Sequence, residues 1–166
     1  TRREFQRRAS ARGAYSHPVA VANRTAALRK RLRYSDEVIA QVRELPQVQI
    51  PTDHVIHAGL YARTICIPTG VILTGADIAR ATLLVFDGHA AVTIGDATQE
   101  LAGRHVLPAS AGRKQAFLAL ADTHLTMLFA TQATDVATAE AQFTSEPDAL
   151  MSRAEGAINT ITITGD

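Results

Sequence analysis

Cysteine is nearly absent from this 166-residue sequence: Cys66 is the only one, so no disulfide can form within the chain. It falls in the run Thr64-Ile65-Cys66-Ile67, where alternation reads as core or strand filler rather than a reactive thiol. No apolar run approaches the roughly 20 residues of a membrane-spanning helix, and no basic start leads into an apolar block as in a secretory leader. Assembly in a cytoplasm is the expectation. Aromatics make up 5% of the residues, and in the first 22 they are Phe5 and Tyr15, too sparse for a base-stacking surface. Also missing are a Ser/His/Asp ordering with supporting context, a phosphate-binding glycine loop and a pair of catalytic carboxylates.

What is present centres on residues 65–129. Short apolar runs (Ile65 and Ile67, Val71 and Leu73, Leu83 to Phe86, Ala91 to Ile94, Val106-Leu107, Phe117 to Leu120, Leu125 to Phe129) carry no helical period. Turn signals separate them: Pro68-Thr69-Gly70, Asp87-Gly88, Gly95-Asp96, Gly103 and Gly112. Runs spaced by roughly 8–12 residues and closed by Gly, Pro or Asp predict an all-β sandwich or barrel. His89, straight after Asp87-Gly88, is expected in an exposed hairpin turn.

The flanks differ. Residues 1–33 hold ten Lys/Arg against the single acid Glu4, whereas residues 34–166 hold seven basic and fifteen acidic side chains. Residues 1–22 read as an extended basic arm, either a solubilising tail or one that orders on nucleic acid or a neighbouring subunit, with Arg2, Arg3, Arg7, Arg8 and Arg12 as contacts. Residues 23–50 read as a helical hairpin and connector. Arg29, Lys30, Arg31 and Arg33 form its basic strip, Ser35-Asp36-Glu37 starts its second helix, and Pro46 ends it. A helix-turn-helix is disfavoured because Asp36, Glu37 and Glu44 would make the reading helix acidic, and phosphate repels acids. Residues 47–53 are a connector or outer strand. Residues 51–133 are the barrel, and 134–166 carry short helices starting at Thr134-Asp135 and Ser145-Glu146-Pro147-Asp148. The β-branched tail Ile158 to Thr164 alternates as a strand. It adds to an edge of the central sheet or pairs with another subunit, placing Ile161 and Ile163 among subunit contacts.

Four histidines are candidates for a metal site. His54 and His57 are the most ligand-like pair, yet at i and i+3 on a strand they point to opposite faces. His105 and His124 read as strand and turn residues. A metal site would need His54, His57, His105 and His124 to converge in space. Arg113-Lys114, after a glycine turn, reads as a solvated turn, a subunit contact, or a holder of an acidic ligand.

The succession Ile67-Pro68-Thr69-Gly70, Thr74-Gly75, Leu83 to Gly88, Val106 to Lys114 and Ala121 to Met127, with Glu140-Ala141-Gln142-Phe143-Thr144 downstream, resembles small cupin-like proteins of tailed bacteriophages and prophages. The resemblance covers about residues 55–152. It implies a cupin jelly-roll β-barrel with the basic arm before it and short helices at both ends. Metal-binding cupins place two His and a carboxylate on one strand and add a later His. The matching stretch here, Thr74 to Thr82, has no His, and the later position offers Arg113 and Lys114, which would repel a divalent ion. The resemblance therefore implies the fold without the metal site, and no cofactor is expected.

The function expected from these readings is a non-enzymatic, homo-oligomeric virion protein. It would attach to the capsid, with a decoration or cement role favoured, or to the head–tail or tail apparatus. The alternatives are a metal-dependent or small-molecule-binding cupin, and a nucleic-acid-binding regulator acting through residues 1–33.

Overall fold

The computed structural model describes residues 36–94 and 97–165. The expected basic arm and the first half of the helical hairpin, including Arg2, Arg3, Arg7, Arg8, Arg12, Arg29, Lys30, Arg31 and Arg33, lie outside the described residues. A helix, α1 (Asp36–Arg43), precedes eight strands: β1 (Thr52–His57), β2 (Leu60–Ile67), β3 (Ile72–Thr74), β4 (Thr82–Ile94), β5 (Ala97–Ala109), β6 (Ala116–Ala119), β7 (Thr123–Ala130) and β8 (Asn159–Thr164). Between β7 and β8 lie a second helix, α2 (Val136–Phe143), and two short 3-10 turns, Pro147–Ala149 and Met151–Arg153.

All eight strands belong to one curled sheet in the order β3-β6-β4-β7-β2-β1-β8, with β5 on the other side of β4. The long β4–β5 hairpin produces the curl. Its first half, Leu83 to Asp87, pairs with β7, while Ala90 to Val92 pairs with β6. Two layers therefore share one hairpin and fold over a common interior. The pairings β2–β7, β4–β7 and β3–β6 join strands distant in sequence, the nested connection of a jelly-roll. The fold is the expected all-β, cupin-like one.

The bend sits where Gly88 faces Gly103 across the hairpin. Gly88 has φ +150, and a Cβ there would lie 2.6 Å from both Cα and Oγ1 of Thr123 on β7. Only glycine lets β7 approach so closely. This corrects the expected turns at Asp87-Gly88 and Gly103, which lie inside two 13-residue strands. His89 is likewise a half-buried strand residue paired with Ala102, its Nε2 on the Glu100 carboxylate, rather than a residue of an exposed turn. A hairpin the periodicity did not mark joins β1 to β2 through Ala58 (φ 45) and Gly59 (φ 73), both left-handed as a two-residue turn requires.

Alternation decides which residues face inward. On β1, Thr52, His54 and Ile56 are buried while Asp53, Val55 and His57 are exposed. On β2 the inward set is Tyr61, Arg63, Ile65 and Ile67. Cys66 belongs to the outward set beside His124, half-buried rather than a core residue, and burial pushes its thiol pKa up. One end of the interior is filled by Tyr61, Phe129 and Phe143, whose ring centroids lie 5.3–6.4 Å apart. Phe143 comes from α2, whose first turn is capped by the Asp135 carboxylate accepting from the Thr138 N–H at 2.8 Å. The second expected helix, at Ser145 to Asp148, is instead the pair of 3-10 turns.

The connector 47–53 becomes strand only at Thr52. The C-terminal strand β8 adds to the edge of the chain's own sheet, parallel to β1, with Thr52 opposite Asn159.

Candidate functional site

Between the two layers is a partly open cavity of about 100 Å³. Leu73, Ile78, Leu84, Leu125, Met127 and Phe143 give it apolar walls, and its polar groups are Arg63, Arg113 and Gln115. By the same measure a single water needs roughly 10–15 Å³, so a molecule of several heavy atoms fits.

Arg63 faces inward because β2 alternates: it shares an inner-face row with His54 on β1, Met127 on β7 and Leu84 on β4. Burial lowers its pKa from the usual guanidinium value. Its terminal nitrogen reaches the Ser152 hydroxyl at 3.5 Å, while its Nε is shut away from solvent with no hydrogen-bond partner among the described residues. The nearest acid along this network is Glu140 on α2, itself buried. It accepts from Ser152 Oγ and, at 2.7 Å, from Arg153 Nε. Arg153 also reaches Asp148 at 3.3 Å. Glu140 is thus bonded directly to Arg153 and meets Arg63 only through Ser152.

Arg113 also turns inward. It donates to the Ser110 carbonyl at 2.6 Å, to the Arg80 and Ala109 carbonyls at 3.3 Å, and to Thr82 Oγ1 at 2.6 Å. None of its partners among the described residues is a carboxylate, and burial lowers its pKa too. The expected solvated turn is therefore half wrong. Lys114 is exposed, but Arg113 is a partly buried wall residue of the cavity.

The histidines do not converge. His54 is buried, with Nδ1 2.8 Å from the Tyr61 hydroxyl and Nε2 3.3 Å from Asn159 Oδ1. Burial lowers its pKa below 6.5, so the neutral ring is favoured. His57 points to the opposite face and meets Thr164 Oγ1 at 2.8 Å. His105 meets the Ala102 carbonyl at 2.8 Å near the hairpin bend, and His124 is exposed on the outer face. Among the described residues no three His, Cys, Asp or Glu side chains are grouped to hold a metal ion. The residues present do not fit the metal centre that the fold family often carries.

The outer face of the sheet is the other prominent feature. Register places Pro108, Leu83, Leu128, Ala62, Val55 and Thr162 in one continuous outward row across six strands. Val106 and Val85 lie in the next row. Leu83 is 51% and Val106 62% exposed. Ile161 and Ile163 of β8 pair with His54 and Ile56 on the inner side, yet at the sheet edge they remain 55% and 51% exposed.

No protein-family model and no curated protein matches the sequence. Among solved structures, a cupin superfamily protein from Desulfitobacterium hafniense is 15% identical, with 54% of this chain and 84% of that one covered and a TM-score of 0.43. The protein KdgF from a Halomonas species is 18% identical, covering 49% and 78%, with a TM-score of 0.41. A cupin 2 conserved barrel domain protein from Leptotrichia buccalis is 9% identical over 54% and 44%, with a TM-score of 0.43.

Arg63 and the outer apolar row escaped the reading of the sequence. Arg63 was signalled by parity, since it shares the odd-numbered set of Tyr61, Ile65 and Ile67. The outer row needs the strand order, which one sequence does not supply.

Proposed function

We propose that this chain is a non-enzymatic, self-associating building block of a tailed-phage particle, with its barrel as the rigid body of the subunit. The observation that carries the reading is the apolar row Pro108-Leu83-Leu128-Ala62-Val55 on the outer sheet face, exposed or half-exposed when only the described residues are counted. Contiguous exposed apolar surface on a sheet marks an association surface. At the β8 edge Ile161 and Ile163 add exposed apolar side chains on the opposite side of the sheet from that row. The scattered histidines supply no catalytic constellation among the described residues, and the resemblance of residues 55–152 to phage-encoded cupin-like proteins supports the particle. A decoration or cement position on the shell is the favoured one, since a basic arm before an acidic body suits attachment across neighbouring subunits.

The test is mass spectrometry of purified particles from a culture whose genome encodes the chain. The reading expects the chain in the particle fraction, in copy number comparable to the major shell protein for decoration and in few copies for a tail part. Its confinement to the soluble, particle-free fraction would contradict it.

A further inference from the structure

We infer that the barrel cavity is a binding site for a small organic acid, with Arg63 and Arg113 facing the carboxylate and the apolar walls enclosing its hydrocarbon part. A buried polar atom without a partner is rare in a folded protein and calls for a specific explanation. Arg63 Nε is such an atom, on a side chain that lines a cavity large enough for a ligand. The charge balance points the same way. Glu140 is bonded directly to Arg153 and reaches Arg63 only through Ser152, while Arg113 has carbonyl and hydroxyl partners. Among the described residues, no carboxylate is hydrogen-bonded directly to either inward guanidinium.

A planar carboxylate matches the guanidinium fork that Arg63 brings to the cavity wall, and in surroundings of low polarity such a charge-assisted bond is strong. The other walls decide the ligand class. Leu73, Ile78, Leu125 and Phe143 offer nothing to a second charge or to the remaining oxygens of an inorganic anion. They suit a short aliphatic or aromatic tail, and Gln115 adds one amide for orientation. The site does not depend on the outer face, so it stands or falls separately from self-association.

The test uses the full chain labelled with 15N at arginine, titrated with benzoate, with the neutral isostere benzamide, and with inorganic phosphate. Benzoate is expected to shift the Arg63 Nε–H resonance saturably, with a dissociation constant in or below the millimolar range, about −4 kcal/mol or tighter. Benzamide and phosphate are expected to leave it in place. Arg63→Gln, checked for an unchanged fold by circular dichroism, is expected to weaken benzoate binding about tenfold or more. The wild-type titration decides the matter even if that variant does not fold. An Arg63 resonance unmoved by benzoate up to about 20 mM, well beyond a millimolar constant, would overturn the assignment. Equal binding of benzamide or of phosphate would overturn it as well, because either would remove the role given to the carboxylate or to the apolar walls.

Discussion

Gly88 and His54 are the residues on which the barrel's shape and its pH response turn. A methyl group at Gly88 would meet the backbone of Thr123 at 2.6 Å, and backbone gives way less readily than a side-chain tip. Gly88→Ala should therefore cost about 1–3 kcal/mol, the range for overpacking, read as a lower urea midpoint with an unchanged slope. For His54, burial depresses the folded-state pKa below 6.5, so the unfolded chain binds the proton more readily. The stability this residue contributes is fully present above pH 6.5 and is lost as the pH falls through the folded value. Urea unfolding from pH 7.5 down to about 5 should show wild-type stability declining below the unfolded pKa. His54→Gln should flatten that decline, and a decline of equal steepness in the variant would refute the assignment. Much of this was legible beforehand: alternation placed His54 and His57 on opposite faces. The hydrogen bond from His54 Nε2 to Asn159 Oδ1 was not, because Asn159 reaches it only through the parallel β1–β8 pairing, which joins residues 105 apart.

At the scale of elements, α2 and the turns after it close the barrel as much by charge as by packing. Phe143 fills the aromatic cluster, and Glu140, one turn earlier, holds Arg153 and Ser152. Arg153→Met would leave a buried carboxylate with Ser152 as its remaining hydrogen-bond partner. Breaking a buried ion pair from one side costs about 3 kcal/mol, and the exposed second partner Asp148 does not soften it. Replacing Glu140 with Gln in the same chain should recover part of the loss. Chemical denaturation of both variants measures it, and equal stability of single and double variants would contradict the ion pair's role. The helix itself was readable from Thr134-Asp135 and the apolar positions after it. The turns at Asp87-Gly88 and Gly103 were misread because glycine signals both a chain reversal and a close approach between strands. Only the position of Thr123 tells the two apart here. The Glu140–Arg153 pair lay hidden because i and i+13 contacts across a helix and an irregular turn leave no periodic trace.

For the whole molecule, the balance is between a barrel interior that holds no grouped metal ligands among the described residues and an outer face that exposes apolar side chains. Each fully buried Leu or Val adds about 1.5–3 kcal/mol, so a face carrying Leu83, Val106, Val55 and Leu128 can supply much of the driving force for association. β8 protects part of the sheet: its backbone covers β1, so a chain ending at residue 157 should expose that edge and aggregate on concentration, as light scattering would show. The all-β class followed from periodicity alone, whereas the outward row emerged only once the order β5-β4-β7-β2-β1-β8 brought distant residues side by side.

Sedimentation equilibrium of the wild-type chain and of Leu83→Asp puts the proposed building block to the most direct test. Self-association through the outer face predicts a wild-type oligomer at micromolar concentration, corresponding to about −8 kcal/mol per contact, and a folded monomer for the variant. A wild-type chain that stays monomeric at about 100 µM, or an oligomer indifferent to an aspartate at residue 83, would contradict it.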